Sequence, residues 1–129
     1  MADRKNFNTD AVPRGTKVFP QAVIANGFIF LSGTVGFSPA TGKLISDSFE
    51  EQVVQAFANL KTILEAAGSS LNKVVKTSMF MVSGCDPDFS IVNKIYADVF
   101  GEEAPARSSP QLMPFPGGIL FSVECIALA

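Results

Sequence analysis

The stretch KVFPQAVIANGFIFLSG sets two β-rich apolar runs on either side of Asn26-Gly27. Asn-Gly reaches positive φ at low cost, so the pattern predicts a tight hairpin. Pro20 has no N–H to give to a ladder, which predicts that the first of these strands lies at an edge or carries a bulge there. TVGFSPATGKLI follows, with a Pro-Ala-Thr-Gly turn and a short strand. In SFEEQVVQAFANLKTILEAAG the apolar spacing changes to threes and fours: Phe49, Val53, Phe57, Leu60 and Leu64 draw one stripe along a helix. Asp47 or Ser48 is placed to cap that helix, Glu50 or Glu51 to answer across a capping box, and Gly68 to stop it. KVVKTSMFMVSG reads as another strand. Asp86-Pro87 then opens a second helix, with Val92, Ile95, Tyr96, Val99 and Phe100 on its buried face and Gly101 at its end. In the tail ILFSVECIALA, alternation puts Leu120, Ser122 and Glu124 on one face of a strand, opposite Phe121, Val123 and Cys125.

The resulting order, β-β-α-β-α-β, predicts an α+β fold in which two helices pack on one side of a mixed sheet. A strand-helix-strand unit in such a sheet is expected to cross over right-handedly. Residues 1–16 are polar, contain Pro13 and Gly15, and read as an N-terminal arm with little structure of its own. A single domain is expected over 17–129, undivided by any repeat or linker.

Composition narrows the chemistry. The 129 residues are 47% apolar and 17% charged, and include 12 phenylalanines. That is one domain's worth of chain, with more apolar surface than a small monomer needs, so part of it is expected to face another subunit. The net charge is −2 and basic residues do not cluster, which argues against nucleic acid as a partner. There is no histidine, which removes Ser-His-Asp and Cys-His catalysis and the common zinc sets. Cys85 and Cys125 are too far apart for a local metal knuckle, so no metal is expected. Acid-base work is left to carboxylates, Tyr96, lysine or water. The N-terminus lacks an apolar signal core and no run approaches membrane-spanning length. The expectation is a cytoplasmic protein with no membrane partner, a mitochondrial location being left open.

The segment PARSSP sets Arg107 among small and stiff residues in a region short of charge. From the residue alone, pairing with Glu102 or Glu103 is the commoner reading, because structural ion pairs outnumber sites. PARSS, the closing VECIA, the hairpin ending in Leu31-Ser32-Gly33, and Val92-Asn93 with Tyr96 together resemble the RidA family (YjgF/YER057c/UK114). The resemblance runs from about Phe19 to the end, and its most specific part is PARS followed at the right distance by an E-x-I-A strand. It implies a chorismate mutase-like fold, assembled as a homotrimer with active sites in the clefts between subunits. It also implies hydrolysis of enamine and imine intermediates such as 2-aminoacrylate to 2-keto acids and ammonia, without a cofactor.

On that resemblance Arg107 anchors the substrate carboxylate, a task suited to a planar guanidinium with several donors. Ser32 and Asn93 match residues counted in the family's site, although Ser32 read alone satisfies a hairpin backbone group. Asn93 read alone caps, or ties a loop to the second helix. Ser109 falls where the family often has cysteine near the ligand, and Phe19 where it often has tyrosine. The main departure lies at Ser122, where the deaminases have the glutamate thought to activate water; Glu124 matches the second acid of their E-x-E pair. A two-residue slip in PFPGG would instead put Glu124 in the first acid's place, on the same face. Pro110 and the FPGG turn are further departures. Two functions follow: an imine deaminase in which Ser122 or Glu124 handles water, or a trimeric binding protein that holds a 2-keto acid without turning it over. A ribonuclease or translation-inhibitor role, also attached to the family, is disfavoured by the charge balance and the missing histidine.

Overall fold

The computed structural model describes residues 3–14 and 16–129. Seven strands form one sheet: β1 (Arg4–Phe7), β2 (Ala22–Ala25), β3 (Phe28–Thr34), β4 (Val74–Val82), β5 (Ala106–Ser108), β6 (Gln111–Leu112) and β7 (Phe121–Leu128). Their order is β1-β2-β3-β7-β4-β5, with β6 also on β4. β5 and β6 run parallel to β4, and the other pairs are antiparallel, so the sheet is mixed. The helices are α1 (Phe49–Ala66) and α2 (Ser90–Phe100).

The hairpin forms as the sequence predicts, with Asn26 and Gly27 at φ 51 and 81. Pro20 differs from expectation: the strand begins only at Ala22, and β2 lies inside the sheet between β1 and β3. The proline therefore leaves no gap in a ladder, and its carbonyl accepts a hydrogen bond from the Ser32 hydroxyl at 2.7 Å. The polar arm also differs. Its RKNF segment pairs with β2 in the register Arg4↔Ala25 to Phe7↔Ala22. That pairing is borrowed from β2, which is why no apolar period announces it. The strand sought in TVGFSPATGKLI is a single bridge, Phe37↔Leu44.

Ser48 caps α1, its hydroxyl accepting from the Glu51 N–H at 3.2 Å. Phe49, Val53, Phe57, Leu60 and Leu64 are all buried. They meet the β7 face that carries Phe121, Val123, Cys125 and Ala127, also buried. Asp86 caps α2 from ahead of its first turn, the carboxylate accepting from Ile91 N at 3.2 Å and Val92 N at 2.8 Å. Phe57 is the hub of the core: its ring lies 5.9 Å from Tyr96, 6.0 Å from Phe100 and 5.8 Å from Phe121. Aromatic pairs at such spacing add about 0.5–1.5 kcal/mol each beyond their burial, so Tyr96 is held firmly.

The opposite face of the sheet has a different character. Ser122 and Ile126 are half-buried, Glu124 is exposed, and Phe30 and Leu128 stand 42% and 46% exposed. Apolar side chains of that size in the middle of a sheet are an unfinished surface. Among the described residues, no helix is long and apolar enough to cross a membrane.

Candidate functional site

Arg107 is built into place from three elements. β5 aligns it with Thr77 of β4, and Thr77 aligns with Cys125 of β7. Residues matched across a ladder point to the same face, so Arg107 projects toward the helices. There its guanidinium carbon lies 4.9 Å from the centre of the Tyr96 ring, and its Nη2 donates to Asn93 Oδ1 at 2.6 Å. Asn93 and Tyr96 stand three residues apart on α2, hence on one face of the helix. Among the described residues Arg107 meets these two groups and not Glu102 or Glu103, which are exposed. Asn93 thus ties a strand to the helix, one of the two roles open to it from sequence.

Tyr96 is buried, and its hydroxyl pairs with Thr77 Oγ1 at 2.7 Å. Desolvation pushes its pKa up, against smaller opposing effects of the Thr77 hydrogen bond and the Arg107 charge. The phenol stays protonated at neutral pH and is no base. Its work here is to present a ring face to a cation. Two residues beyond Arg107, the Ser109 hydroxyl is buried and has no hydrogen-bond partner. A buried hydroxyl without a partner costs free energy, and it lies one residue past the end of the strand that carries the guanidinium.

The other predicted site residues collect elsewhere. Phe19 and Ser32, together with Gly33, line a cavity of about 270 Å³ that also touches Val12, Arg14 and Ile119. The Ser32 hydroxyl is spent on Pro20, as its structural reading held. Ser122 Oγ sits where a side chain at Gly33 would begin, 2.8 Å from an ideal Cβ there. That contact explains the glycine in Leu31-Ser32-Gly33: anything larger would displace the serine. Glu124 pairs in register with Ser78, and Ser122 with Phe80. Both therefore point away from Arg107, onto the open face. One chain brings Arg107 and Asn93 together, with Ser109 two residues further along, and separately Phe19, Ser32 and Ser122, with Glu124 two residues beyond Ser122. It does not bring the two groups together.

The remaining departures have local explanations. Pro110 leaves its carbonyl to accept from Met81 N at 3.2 Å, so β6 still joins β4. The FPGG turn is clamped by buried Gln52, whose amide donates to Gly118 O at 3.2 Å and accepts from Leu120 N at 2.8 Å. Cys85 and Cys125 are free thiols. Burial drives the Cys125 thiol up to about 12, with the Glu124 charge adding to the effect. Among the described residues, no group of three or more His, Cys, Asp or Glu is placed to hold a metal.

This arrangement, and the sequence that makes it, match known proteins over nearly the whole chain. The family model described as Endoribonuclease L-PSP matches residues 9–129. The chain belongs to this family, the RidA family. Reactive Intermediate Deaminase A, chloroplastic, of Arabidopsis thaliana is 39% identical over 93% of this chain and 63% of its own length. The 2-iminobutanoate/2-iminopropanoate deaminase of Rattus norvegicus is 35% identical over 97% of this chain and 90% of its own. The crystal structure of RidA from the Antarctic bacterium Psychrobacter superposes with a TM-score of 0.89 at 34% identity, covering 97% of this chain and 99% of that one. The α+β fold with two helices on a mixed sheet is thus the RidA fold. Sequence reasoning missed the Tyr96 ring as a seat for Arg107; the three-residue spacing from Asn93 was the available signal.

Proposed function

We propose that the protein hydrolyses small 2-imino acids to 2-keto acids and ammonia, in a site completed when a second copy of the chain sets its Arg107 half against the cavity half. The observation that carries this reading is the state of Arg107. It is a guanidinium oriented from two sides, by Tyr96 and Asn93, with its remaining donors unspent and a hydroxyl lacking a partner two residues away. That is a fitting seat for a planar carboxylate, bound through paired N–H groups. The apolar open face supports an oligomer, since Phe30 and Leu128 gain by burial against another copy.

Hydrolysis needs little more than positioning. A protonated imine is an electrophile at carbon; water adds there and loses a proton to solvent or to a nearby acceptor. The carbinolamine nitrogen takes up a proton, and collapse expels ammonia as the hydroxyl gives its proton to water and the carbon-oxygen double bond forms. An enamine is first protonated at carbon to give the imine. Arg107 fixes the carboxylate and so the position of the reacting carbon, which accounts for much of the rate by orientation. Ser122 orients water without being a base, and Glu124 is the nearer candidate for taking its proton. No resident cofactor enters these steps.

A second reading is favoured by Ser122 itself. With a hydroxyl where the deaminases have an acid, the same seat would bind a 2-keto acid without turnover. One experiment separates the two: ammonia release from an imine generated by an amino-acid oxidase, beside calorimetric binding of 2-oxobutanoate, with wild type and Arg107→Ala. The deaminase gives arginine-dependent release and binding; the binding protein gives binding alone. If neither depends on Arg107, both readings fail. The word endoribonuclease in the family's description is not supported by the charge, because a chain of net charge −2 without clustered basic residues disfavours a polyanion.

A further inference from the structure

The cavity bordered by Phe19 and Ser32 contains a charge that the reaction above does not use. Of the residues lining it, Arg14 alone is charged. Most of the other polar groups of the wall are committed to the protein, although Thr16 Oγ1, which accepts from Val18 N at 3.1 Å, keeps its own proton. Ser32 Oγ donates to Pro20 O, Thr34 Oγ1 donates to Ser32 O at 3.0 Å, and Gln21 binds Val12 O at 2.9 Å and Thr9 N at 2.7 Å. Arg14 is exposed, and its contact with Phe19 O is 3.5 Å long, at the limit of a hydrogen bond. Nearly all its donors are therefore uncommitted. The rest of the wall is apolar, drawn from Val12, Val35, Phe37, Ile63 and Ile119. At about 270 Å³ the space exceeds the need of the methyl or methylene group of the smallest imino acids.

We propose that this cavity is the side-chain subsite and that Arg14 is its specificity-determining residue, selecting 2-imino acids whose side chain is a short methylene stem ending in a carboxylate. The inference rests on the proposed reaction, in which Arg107 holds the α-carboxylate. The apolar wall takes the stem, and Arg14 at the rim pairs with the distal acid. A neutral polar end gains only an uncharged acceptor's weaker hydrogen bond from the same guanidinium, and a cationic end is repelled. The rim is open to solvent, so the gain is that of a screened charge-assisted pair, about two- to fivefold in affinity.

The test uses two keto acids of equal shape. 2-Oxoglutarate ends in a carboxylate, and 5-methyl-2-oxohexanoate puts an isopropyl group of similar outline in its place. Calorimetry on the wild-type protein should favour 2-oxoglutarate about two- to fivefold, with the preference shrinking as salt is raised. Arg14→Gln should bring the ratio to about one, and Arg14→Glu should invert it. In the imine assay, kcat/KM for the imine of glutamate over that of norvaline should move in parallel. If both keto acids bind with the same affinity to wild type, or if Arg14→Glu leaves the ratio unmoved, the subsite is not acid-selective. If neither keto acid binds and no imine is hydrolysed, the proposed function itself fails, a result distinct from the first.

Discussion

Asn93→Ala separates orientation from stability, because the two effects act on different quantities. Asn93 is exposed on α2 and accepts Arg107 Nη2 at 2.6 Å. Alanine is the better helix former by about 0.6 kcal/mol. The lost contact is an exposed one to a cation, contributing about 0.2–1 kcal/mol. The terms nearly cancel, so Tm should stay within about 3 °C of wild type. The ligand feels something else. A free arginine side chain carries about 2 kcal/mol of rotamer entropy, and Asn93 is one of the two groups that hold it. If removing Asn93 returns half of that freedom, ligand binding must then supply about 1 kcal/mol, or roughly fivefold in affinity. Titration calorimetry with 2-oxobutanoate should show Kd raised about three- to tenfold, with the melting curve hardly moved. An unchanged Kd would refute the orienting role, and a large fall in Tm would show that Asn93 serves the fold instead.

Other expectations follow from the same contacts. Ser122→Glu restores an acid where the deaminases have one, and should raise imine hydrolysis at least about tenfold, within the range of general-base catalysis; no change would mean that Glu124 already does this work. The Cys125 thiol is raised from 9.0 to about 12 in the fold. Since the folded state then holds its proton more tightly than the unfolded one, stability is full below about pH 9 and is lost as pH climbs toward 12. That loss amounts to as much as about 4 kcal/mol; denaturant titrations at several pH values should show the decline, and Cys125→Ala should flatten it. Gly36→Ala would place a Cβ 2.7 Å from the backbone oxygen and 2.9 Å from the Cα of Gln52. Backbone cannot step aside as a side chain does, so a loss of about 1–3 kcal/mol is expected in chemical denaturation.

What could be read in the sequence was local. The hairpin at Asn26-Gly27 and both helices announce themselves by turn chemistry, caps and apolar period, signals contained within a few residues. β1 and β5 do not, because RKNF and ARS have no period of their own and become strands only by pairing with β2 and β4. The site divides the same way. Arg107, Asn93 and Ser32 were found by motif, and the alternation that puts Ser122 and Glu124 on one face was visible in the tail. That Arg107 faces the other way depends on the register Arg107↔Thr77↔Cys125. Register is a long-range property, so the separation of the candidate residues into two groups had to come from the structure. Tyr96 lay between: its burial was predicted, while its use as a seat for a cation needed the position of β5.

The proposed pairing of Arg107 from one chain with the cavity half of another is open to test by complementation. Arg107→Ala and the double variant Ser122→Ala with Glu124→Ala are each expected to be inactive alone. Co-folded in equal amounts, they should regain activity, because in a random cyclic assembly about one quarter of the interfaces join two intact halves. Recovery near one quarter of wild type is the predicted result. A mixture no more active than its two components would rule that pairing out.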